Sequence, residues 1–191
     1  GPFDVLNLET DDGTFQDDVK TIADLSGTYI HTSAPVAVFS GVESTGAPGG
    51  AVDIPKPSGW MDGDTCSLDH LEDQMFPMES VGSKYVIPRS PVRSTSGFRE
   101  PDVIRFLGVA EAAEVTTNLA SPFDKFTLAP GEVKTTYTQD NMIVSATKPV
   151  MIGQILVSNQ YVDGPYIGDP SLTVFPPVDQ FRTEYVFLTP G

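Results

Sequence analysis

Glycine and proline, 17 residues of each, are spread along the 191-residue chain and divide it into short segments. The segments between them are rich in Val, Ile, Thr, Phe and Tyr, the residues that pack well on pleated sheets. Pro removes a backbone donor and Gly weakens regular elements, so this punctuation leaves little room for long helices. The pattern therefore predicts an all-β protein of short antiparallel strands.

Two segments give the clearest strand signals. Val133–Tyr137 alternates between two faces, as a half-buried strand does, and Val150–Val157 is almost wholly apolar, as a central strand covered on both sides would be. Pro and Gly occupy the central positions of Ala129–Glu132, a type II turn signal that predicts a hairpin of Lys125–Leu128 with Val133–Tyr137. Further strands are predicted at Asp4–Leu8, Thr28–Thr32, Val36–Phe39, Lys84–Ile87, Val103–Val109, Glu114–Leu119, Met142–Ala146, Leu172–Phe175 and Glu184–Leu188.

One short helix is predicted at Ser67–Phe76. Leu68, Leu71 and Met75 form an apolar stripe at helical spacing. Ser67 is a suitable N-cap, and Pro77 would end the helix.

An internal repeat is visible in the order of the motifs. A polar turn, a Pro-Val strand, a long excursion, a Phe-Pro pair and a Tyr-Val strand occur twice. The matching positions are Pro35 and Pro149 (114 apart), Phe76 and Phe175 (99 apart), and Tyr85 and Tyr185 (100 apart). We therefore predict two related antiparallel β-sandwich-like modules, at 1–92 and 93–191, joined near Ser90–Pro101. The first module lacks counterparts of Val103–Leu119, and chance recurrence of short motifs is the alternative explanation.

Composition excludes several classes of function. The formal net charge of −15 disfavours nucleic acid and anionic membrane surfaces as partners, because both would be repelled. No apolar run is long enough to span a bilayer, so no membrane insertion is expected. A single Cys cannot form an internal disulfide.

Several motifs, in order along almost the whole chain, resemble the IgGFc-binding protein N-terminal domain family. They are Asp24–Ile30 (DLSGTYI), Ala34–Gly41 (APVAVFSG), Cys66 with Asp69-His70-Leu71, Gln74 and Pro77, then Pro149-Val150, Gln154, Gly168-Asp169-Pro170 and Pro176–Phe181. Many members of that family are parts of bacterial secreted or surface proteins. The family often has a second Cys shortly after the Ser-Gly pair, where this chain has Val42 and Glu43. That departure leaves Cys66 without a partner and favours a bacterial origin.

The resemblance implies a non-enzymatic, extracellular or cell-surface domain that binds a protein or glycan partner through its loops. The alternative is a structural spacer or self-assembly module of a larger surface protein, associating through sheet edges. Likeness to a family does not by itself transfer a ligand such as Fc.

The long Gly- and Pro-rich loop Glu43–Asp64 holds the candidate ligand-binding residues, Trp60 and Met61. A Trp in such a loop is either a lid over one sheet or a contact residue for a partner. Both interpretations stay open at this point.

Carboxylates in two loops suggest calcium, which prefers several oxygen ligands. Asp62, Asp64 and Asp69 are the candidate metal ligands, and a second acidic cluster lies within Asp11–Asp18. Neither stretch has the EF-hand register. Solvated acidic loops are the favoured interpretation, and no other cofactor is expected.

No arrangement in the sequence points to catalysis. Cys66 and His70 would lie one helical turn apart in the predicted helix, but nothing indicates a third group that would orient the imidazole. Gly168-Asp169-Pro170 is followed by Ser171 and not by the His of a known autocleavage motif. Four arginines lie close together in an otherwise acidic chain and indicate either a solvated linker or a docking stripe: Arg89, Arg93, Arg99 and Arg105.

Overall fold

The computed structural model describes residues 4–10, 24–48, 52–60, 68–164 and 167–188. The strands within these ranges are β1 (Phe39–Thr45), β2 (Asp69–Gln74), β3 (Gly82–Ile87), β4 (Asp102–Gly108), β5 (Ala113–Thr117), β6 (Lys125–Leu128), β7 (Val133–Thr138), β8 (Met142–Leu156) and β9 (Leu172–Val174). Single 3-10 turns lie at Met78–Ser80, Asn159–Tyr161 and Val178–Gln180. The all-β prediction is confirmed.

Strand β8 organises the larger sheet because its two halves have different neighbours. Its first half pairs with β3 and β5, and β5 continues to β6. Its second half pairs with β4 and β9, and β4 continues to β7. All these pairings are antiparallel. We call the first set the β3 layer (β6-β5-β8-β3) and the second the β9 layer (β7-β4-β8-β9).

An irregularity in β8 lets one strand belong to both layers. Gly82 pairs with Val150 and Lys84 pairs with Ser145, so residues 146–149 of β8 stand opposite Ser83 alone. Such bulges bend a strand and change its direction. Pro149 lies in this stretch, where a missing N–H is tolerated.

The main core lies between the two layers. Tyr85, Val115 and Val144 from the β3 layer meet Phe106 and Ile152 from the β9 layer, and all five are at most 1% exposed. Alternation along β4 places Ile104 and Phe106 in this core and Val103 on the opposite face, as the two-residue period of a strand requires.

Strands β1 and β2 form a second, two-stranded antiparallel sheet. Phe39 pairs with Gln74 and Val42 with Leu71, with an irregularity before Thr45. The Asp73 carboxylate accepts the Val174 N–H at 2.7 Å, so β2 connects to β9 through a side chain.

The predicted helix at Ser67–Phe76 is wrong, since Asp69–Gln74 forms β2. In this segment Leu71 is buried and Asp73 half-buried, with exposed residues between them. That is strand alternation, and the backbone groups of β2 are paired with β1, which lies about 30 residues earlier in the chain. The pairing with β1 outweighed a helical spacing of three apolar residues.

The predicted hairpin is half right. The turn at Ala129–Glu132 is present, with a 3.0 Å bond from the Glu132 N–H to the Ala129 carbonyl and φ +73° at Gly131. Its flanking strands do not pair with each other, because β6 joins β5 and β7 joins β4. The turn connects the two layers of the sandwich.

Three other predictions concerned strands at Asp4–Leu8, Thr28–Thr32 and Glu184–Leu188. The structure describes these segments and places none of them in a strand, so those predictions are wrong. Their apolar side chains are largely exposed. The predicted strands at Met142–Ala146 and Val150–Val157 are one continuous strand, β8.

The predicted division into modules 1–92 and 93–191 stays a prediction. Strand β3 precedes residue 92, and it pairs with β8 at the edge of the β3 layer. Among the described residues, no helix has the length and apolar character needed to cross a bilayer.

Candidate binding surface

Segment 52–60 lies over the outer face of the β9 layer and positions Trp60. Ile54 from this segment is 4% exposed and packs with Val103 and Val157. The preceding Ala47 is fixed to the end of β8, because its N–H donates to Ser158 Oγ at 2.9 Å and its carbonyl accepts the Ser158 N–H at 3.0 Å. Tertiary contacts therefore hold a segment that has no regular secondary structure.

The Trp60 indole packs against two side chains. Its ring stacks on Tyr161, with ring centroids 5.8 Å apart and the planes at 29°. Lys56 Nζ lies 4.4 Å from the indole centroid, within cation–π range. Trp60 is half-buried over the sheet, and its buried Nε1–H has no hydrogen-bond acceptor in the described structure. The lid interpretation describes this packing, and Trp60 as a whole residue remains partly exposed.

A shallow depression adjoins Trp60. It is lined by Ser58 and Gly59 of the loop and by Gln160, Asp163 and Gly164 of the segment after β8, and its volume is about 130 Å³. Sites that enclose a small molecule usually measure about 300–1,000 Å³. The depression therefore suits one protruding group of a larger partner better than a whole small-molecule ligand.

Sequence reasoning identified Trp60 but missed Lys56 and Tyr161. Tyr161 follows β8 and is about 100 residues away from the loop, so no local pattern connects the two rings. A Lys four residues before a Trp was the only signal available, and it does not distinguish a contact from a solvated side chain.

The structure describes only two of the predicted site residues. Asp69 is exposed at the start of β2, where its Oδ1 accepts the His70 N–H at 2.8 Å. Met61, Asp62 and Asp64 lie outside the described residues, as does the acidic cluster at 11–18. Among the residues that are described, no group of three His, Cys, Asp or Glu side chains is placed to hold a metal ion. The calcium site stays a prediction.

The helical spacing considered for Cys66 and His70 does not apply. His70 belongs to β2, and its Nε2 lies 3.4 Å from the Glu72 carboxylate, with both side chains about half exposed. Cys66 lies outside the described residues.

Two buried carboxylates fix the chain between β3 and β4. Glu100 accepts hydrogen bonds from the Arg93 N–H and from Ser94 Oγ, the latter at 2.6 Å. Asp102 accepts from the Ser90 N–H at 2.7 Å and from Gln154 Nε2 at 2.8 Å. Both carboxylates are at most 5% exposed. This stretch is therefore packed against the sandwich.

The balance of forces at Glu100 favours the ionised form. Desolvation by burial acts to raise the pKa of this carboxyl, but hydrogen bonds from Ser94 and from the Arg93 backbone outweigh it and hold the pKa below its ordinary value. Arg93 Nε lies 3.6 Å from the same carboxylate.

Three of the four clustered arginines have acidic partners within the chain. Arg93 pairs with Glu100, Arg99 with Asp140 and Arg105 with Asp24, the last two at 2.9 and 2.7 Å. Because the positive charges of these three arginines are paired with carboxylates of the same chain, they are poorly suited to form a docking stripe for an acidic partner.

A family model described as IgGFc binding protein matches residues 2–191, essentially the whole chain. The description is that of a binding protein and not of an enzyme. No curated protein and no solved structure matches the chain.

Proposed function

Because the chain belongs to the IgGFc binding protein family, we propose that it is a non-enzymatic extracellular domain that binds a protein or glycan partner. The family match over residues 2–191 is the observation that carries this proposal. A bacterial surface or secreted protein that uses the domain for adhesion fits the acidic composition, since a strongly charged surface keeps a domain soluble.

The surface around Trp60 is the contact region that we propose. A partly exposed Trp beside a polar depression combines a large apolar contact area with groups that orient a partner. Met61, which follows Trp60 in the sequence, is the second contact residue that we propose.

The test is a glycan and protein array, including IgG Fc, probed with the purified domain. Truncation of a central Trp commonly costs 2 kcal/mol or more, so Trp60→Ala should lower affinity for the bound ligand at least about 30-fold. Trp60→Phe keeps a ring against Tyr161 and should give an intermediate loss. The matched control is Thr127→Ala, an exposed position on β6 in the other layer, which should bind like the wild type.

Two results would contradict the proposal. If no class of ligand on the array binds, the recognition function itself is wrong. If a ligand binds and both Trp60 variants keep full affinity while remaining folded by circular dichroism, the surface is wrong and the contact lies elsewhere.

A second candidate function is assembly within a larger surface protein. One observation favours it: apolar side chains that would normally be buried are exposed near both ends of the described chain. Val186 and Leu188 are almost fully exposed, and Tyr29, Val36 and Phe187 are more than half exposed. Soluble monomers rarely leave such side chains uncovered in contiguous groups. Light scattering over a concentration series tests this candidate, and a constant monomer mass would exclude it.

A further inference from the structure

The pairing of β1 with β2 is repeated in the pairing of β8 with β9. In each pair three consecutive cross-strand partners correspond, the first-strand residues lying 114 positions apart and the second-strand residues 100 apart. The pairs are Phe39 with Gln74, Ser40 with Asp73 and Gly41 with Glu72, and then Gly153 with Val174, Gln154 with Thr173 and Ile155 with Leu172. Identical register at fixed offsets supports the internal repeat, because a slip of one residue would exchange the faces.

The same offsets relate hydrogen bonds outside the strands. The Met75 N–H donates to the Val38 carbonyl at 2.9 Å, and the Phe175 N–H donates to the Ile152 carbonyl at 3.0 Å. The 3-10 turns at Met78–Ser80 and Val178–Gln180 are also 100 positions apart.

The turn that precedes each first strand corresponds as well. The Ser26 N–H donates to Asp24 Oδ1 at 2.8 Å, and 114 positions later the Asp140 N–H donates to Thr138 Oγ1 at 3.1 Å. Residues 24–42 are thus the counterpart of the turn and strand at 138–156, and residues 75–87 are the counterpart of 175–187.

The two copies differ in what happens after the 3-10 turn. In the first copy the chain continues as β3, which pairs with the first half of β8. Tyr85 is 1% exposed there, its hydroxyl accepts the Gly82 N–H at 3.0 Å and donates to the Val150 carbonyl at 2.6 Å. In the second copy the Tyr185 hydroxyl accepts the Arg182 N–H at 2.8 Å, and the side chain is 63% exposed. Residues 182–187 therefore repeat the local hydrogen bond of β3, but the described structure places them in no strand.

The segment of the first repeat that is equivalent to the first half of β8 is also exposed and belongs to no described strand. It comprises residues 28–36, where Ile30 is half exposed and Val36 mostly exposed. Its ends are fixed: Asp24 forms a 2.7 Å ion pair with Arg105, and β1 begins at Phe39. A segment held at both ends loses little conformational entropy when a strand adds to it.

We propose that residues 182–188 of one molecule pair antiparallel with residues 28–36 of a second molecule of the same protein, as β3 pairs with β8 within the chain. The register follows from the β3–β8 pairs by the two offsets. It places Tyr185 opposite Ile30, Val186 opposite Tyr29, Phe187 opposite Thr28 and Glu184 opposite His31. This inference rests on the second candidate function and specifies its surface.

The added strand would bury two side chains that are exposed in the monomer, Tyr185 (63% exposed) and Phe187 (77% exposed). Tyr185 and Phe187 correspond to Tyr85 and Ile87, both fully buried, so they would face inward. The Tyr185 hydroxyl would donate to the carbonyl of Val36, the counterpart of Val150. Strand addition of this kind combines backbone hydrogen bonds with side-chain contacts on one face.

Residues 182–188 are the donor segment, which supplies the added strand, and residues 28–36 are the acceptor segment, which receives it. Because the two segments lie on different surfaces of the molecule, the contact is head-to-tail. Each molecule would present one donor and one acceptor, which generates open chains unless the rotation closes a ring. A linear array of this kind suits an extended surface structure.

Cysteine cross-linking in a Cys66→Ser background tests the register. Chains carrying Tyr29→Cys and chains carrying Val186→Cys are mixed and oxidised, and we expect a band at twice the 20.5 kDa chain mass. Both positions face outward in the proposed pair, like Ile143 and Val86, which are 58% and 44% exposed. The control mixture, Ile30→Cys with Val186→Cys, is shifted by one residue and should give little product.

An internal pair calibrates the reaction. Val86→Cys with Ile143→Cys in one chain joins a cross-strand pair that the structure already contains, and it should form an intramolecular disulfide. If this disulfide forms and the Tyr29–Val186 product does not, the proposal is wrong. Equal product from the shifted control would also overturn it, because it would show association without the register.

Light scattering separates this proposal from assembly in general. Phe187→Asp places a charge at an inward position and should keep the protein monomeric, whereas Val186→Asp, at an outward position, should assemble like the wild type. Concentration-dependent assembly without the specific cross-link would leave the assembly function standing and overturn the proposed strand addition. A constant monomer mass for the wild type would overturn both.

Discussion

Replacing Tyr85 by Phe removes one hydroxyl from the main core and changes little else. The ring volume is conserved, so no cavity forms. The hydroxyl makes two hydrogen bonds, one from the Gly82 N–H at 3.0 Å and one to the Val150 carbonyl at 2.6 Å, and Tyr85 is 1% exposed. Each bond contributes about 0.5–1.5 kcal/mol net, so we expect Tyr85→Phe to lower the free energy of unfolding by about 1–3 kcal/mol.

The assay is urea denaturation followed by circular dichroism, with thermal unfolding alongside it. A loss of about 2 kcal/mol corresponds to a fall of roughly 4–8 °C in Tm for a domain of this size. Tyr185→Phe is the matched control, since its hydroxyl accepts the equivalent bond at an exposed position. In the monomer it should change stability by less than about 0.5 kcal/mol.

The pH dependence provides an independent check. Burial raises the pKa of Tyr85 above its ordinary value of 10.0, although the bond from the Gly82 N–H acts to lower it. The folded state therefore holds its proton more tightly than the unfolded state. This contribution to stability is complete below pH 10 and is lost as pH rises through the folded pKa. The Tyr85→Phe variant should therefore lose less free energy of unfolding than the wild type as the pH rises above 10.

The reasoning would be refuted by a Tyr85→Phe variant as stable as the wild type. It would also be refuted if Tyr185→Phe were equally costly in the monomer, since the two hydroxyls would then have the same surroundings.

Three further predictions concern the carboxylate network, a glycine contact and calcium. Glu100→Ala leaves Arg93 without its buried partner and should cost about 3–5 kcal/mol in urea denaturation at neutral pH. Because the pKa of Glu100 is lowered from 4.5, its contribution is present above pH 4.5 and lost as pH falls through the folded pKa, so Glu100→Gln should show a smaller loss in acid. Gly108→Ala would drive a Cβ into the Ala129 carbonyl oxygen and should cost about 1–3 kcal/mol, whereas Gly153→Ala, whose Cβ would lie 3.4 Å from the end of the Leu172 side chain, should cost less; equal losses would contradict this. If the aspartate-rich loop before β2 binds calcium, Tm should rise with added calcium, and a Tm unchanged between calcium and excess chelator would end that hypothesis.

The β content and several turns were predictable because their signals are local. Alternation in Val133–Tyr137 reflects which side of a strand is buried, and that preference needs no knowledge of the partner strand. The Pro-Gly pair in Ala129–Glu132 fixes its own backbone angles, and Gly131 has the positive φ that such a turn requires. The nearly unbroken apolar run of Val150–Val157 likewise indicated a strand covered on both faces, and it lies between β4 and β9.

The structure alone decided how these pieces combine. Asp69–Gln74 is a strand because β1 supplies its hydrogen-bond partners, and Trp60 has a defined place because Tyr161, far along the chain, lies beneath it. The hairpin turn joins two layers because β5 and β4 are better placed to pair with its flanking strands. Backbone angles and side-chain faces are properties of neighbouring residues, so the sequence determined them. Strand partners are chosen among all segments of the chain by the total burial and pairing they allow, and only the folded structure makes that choice.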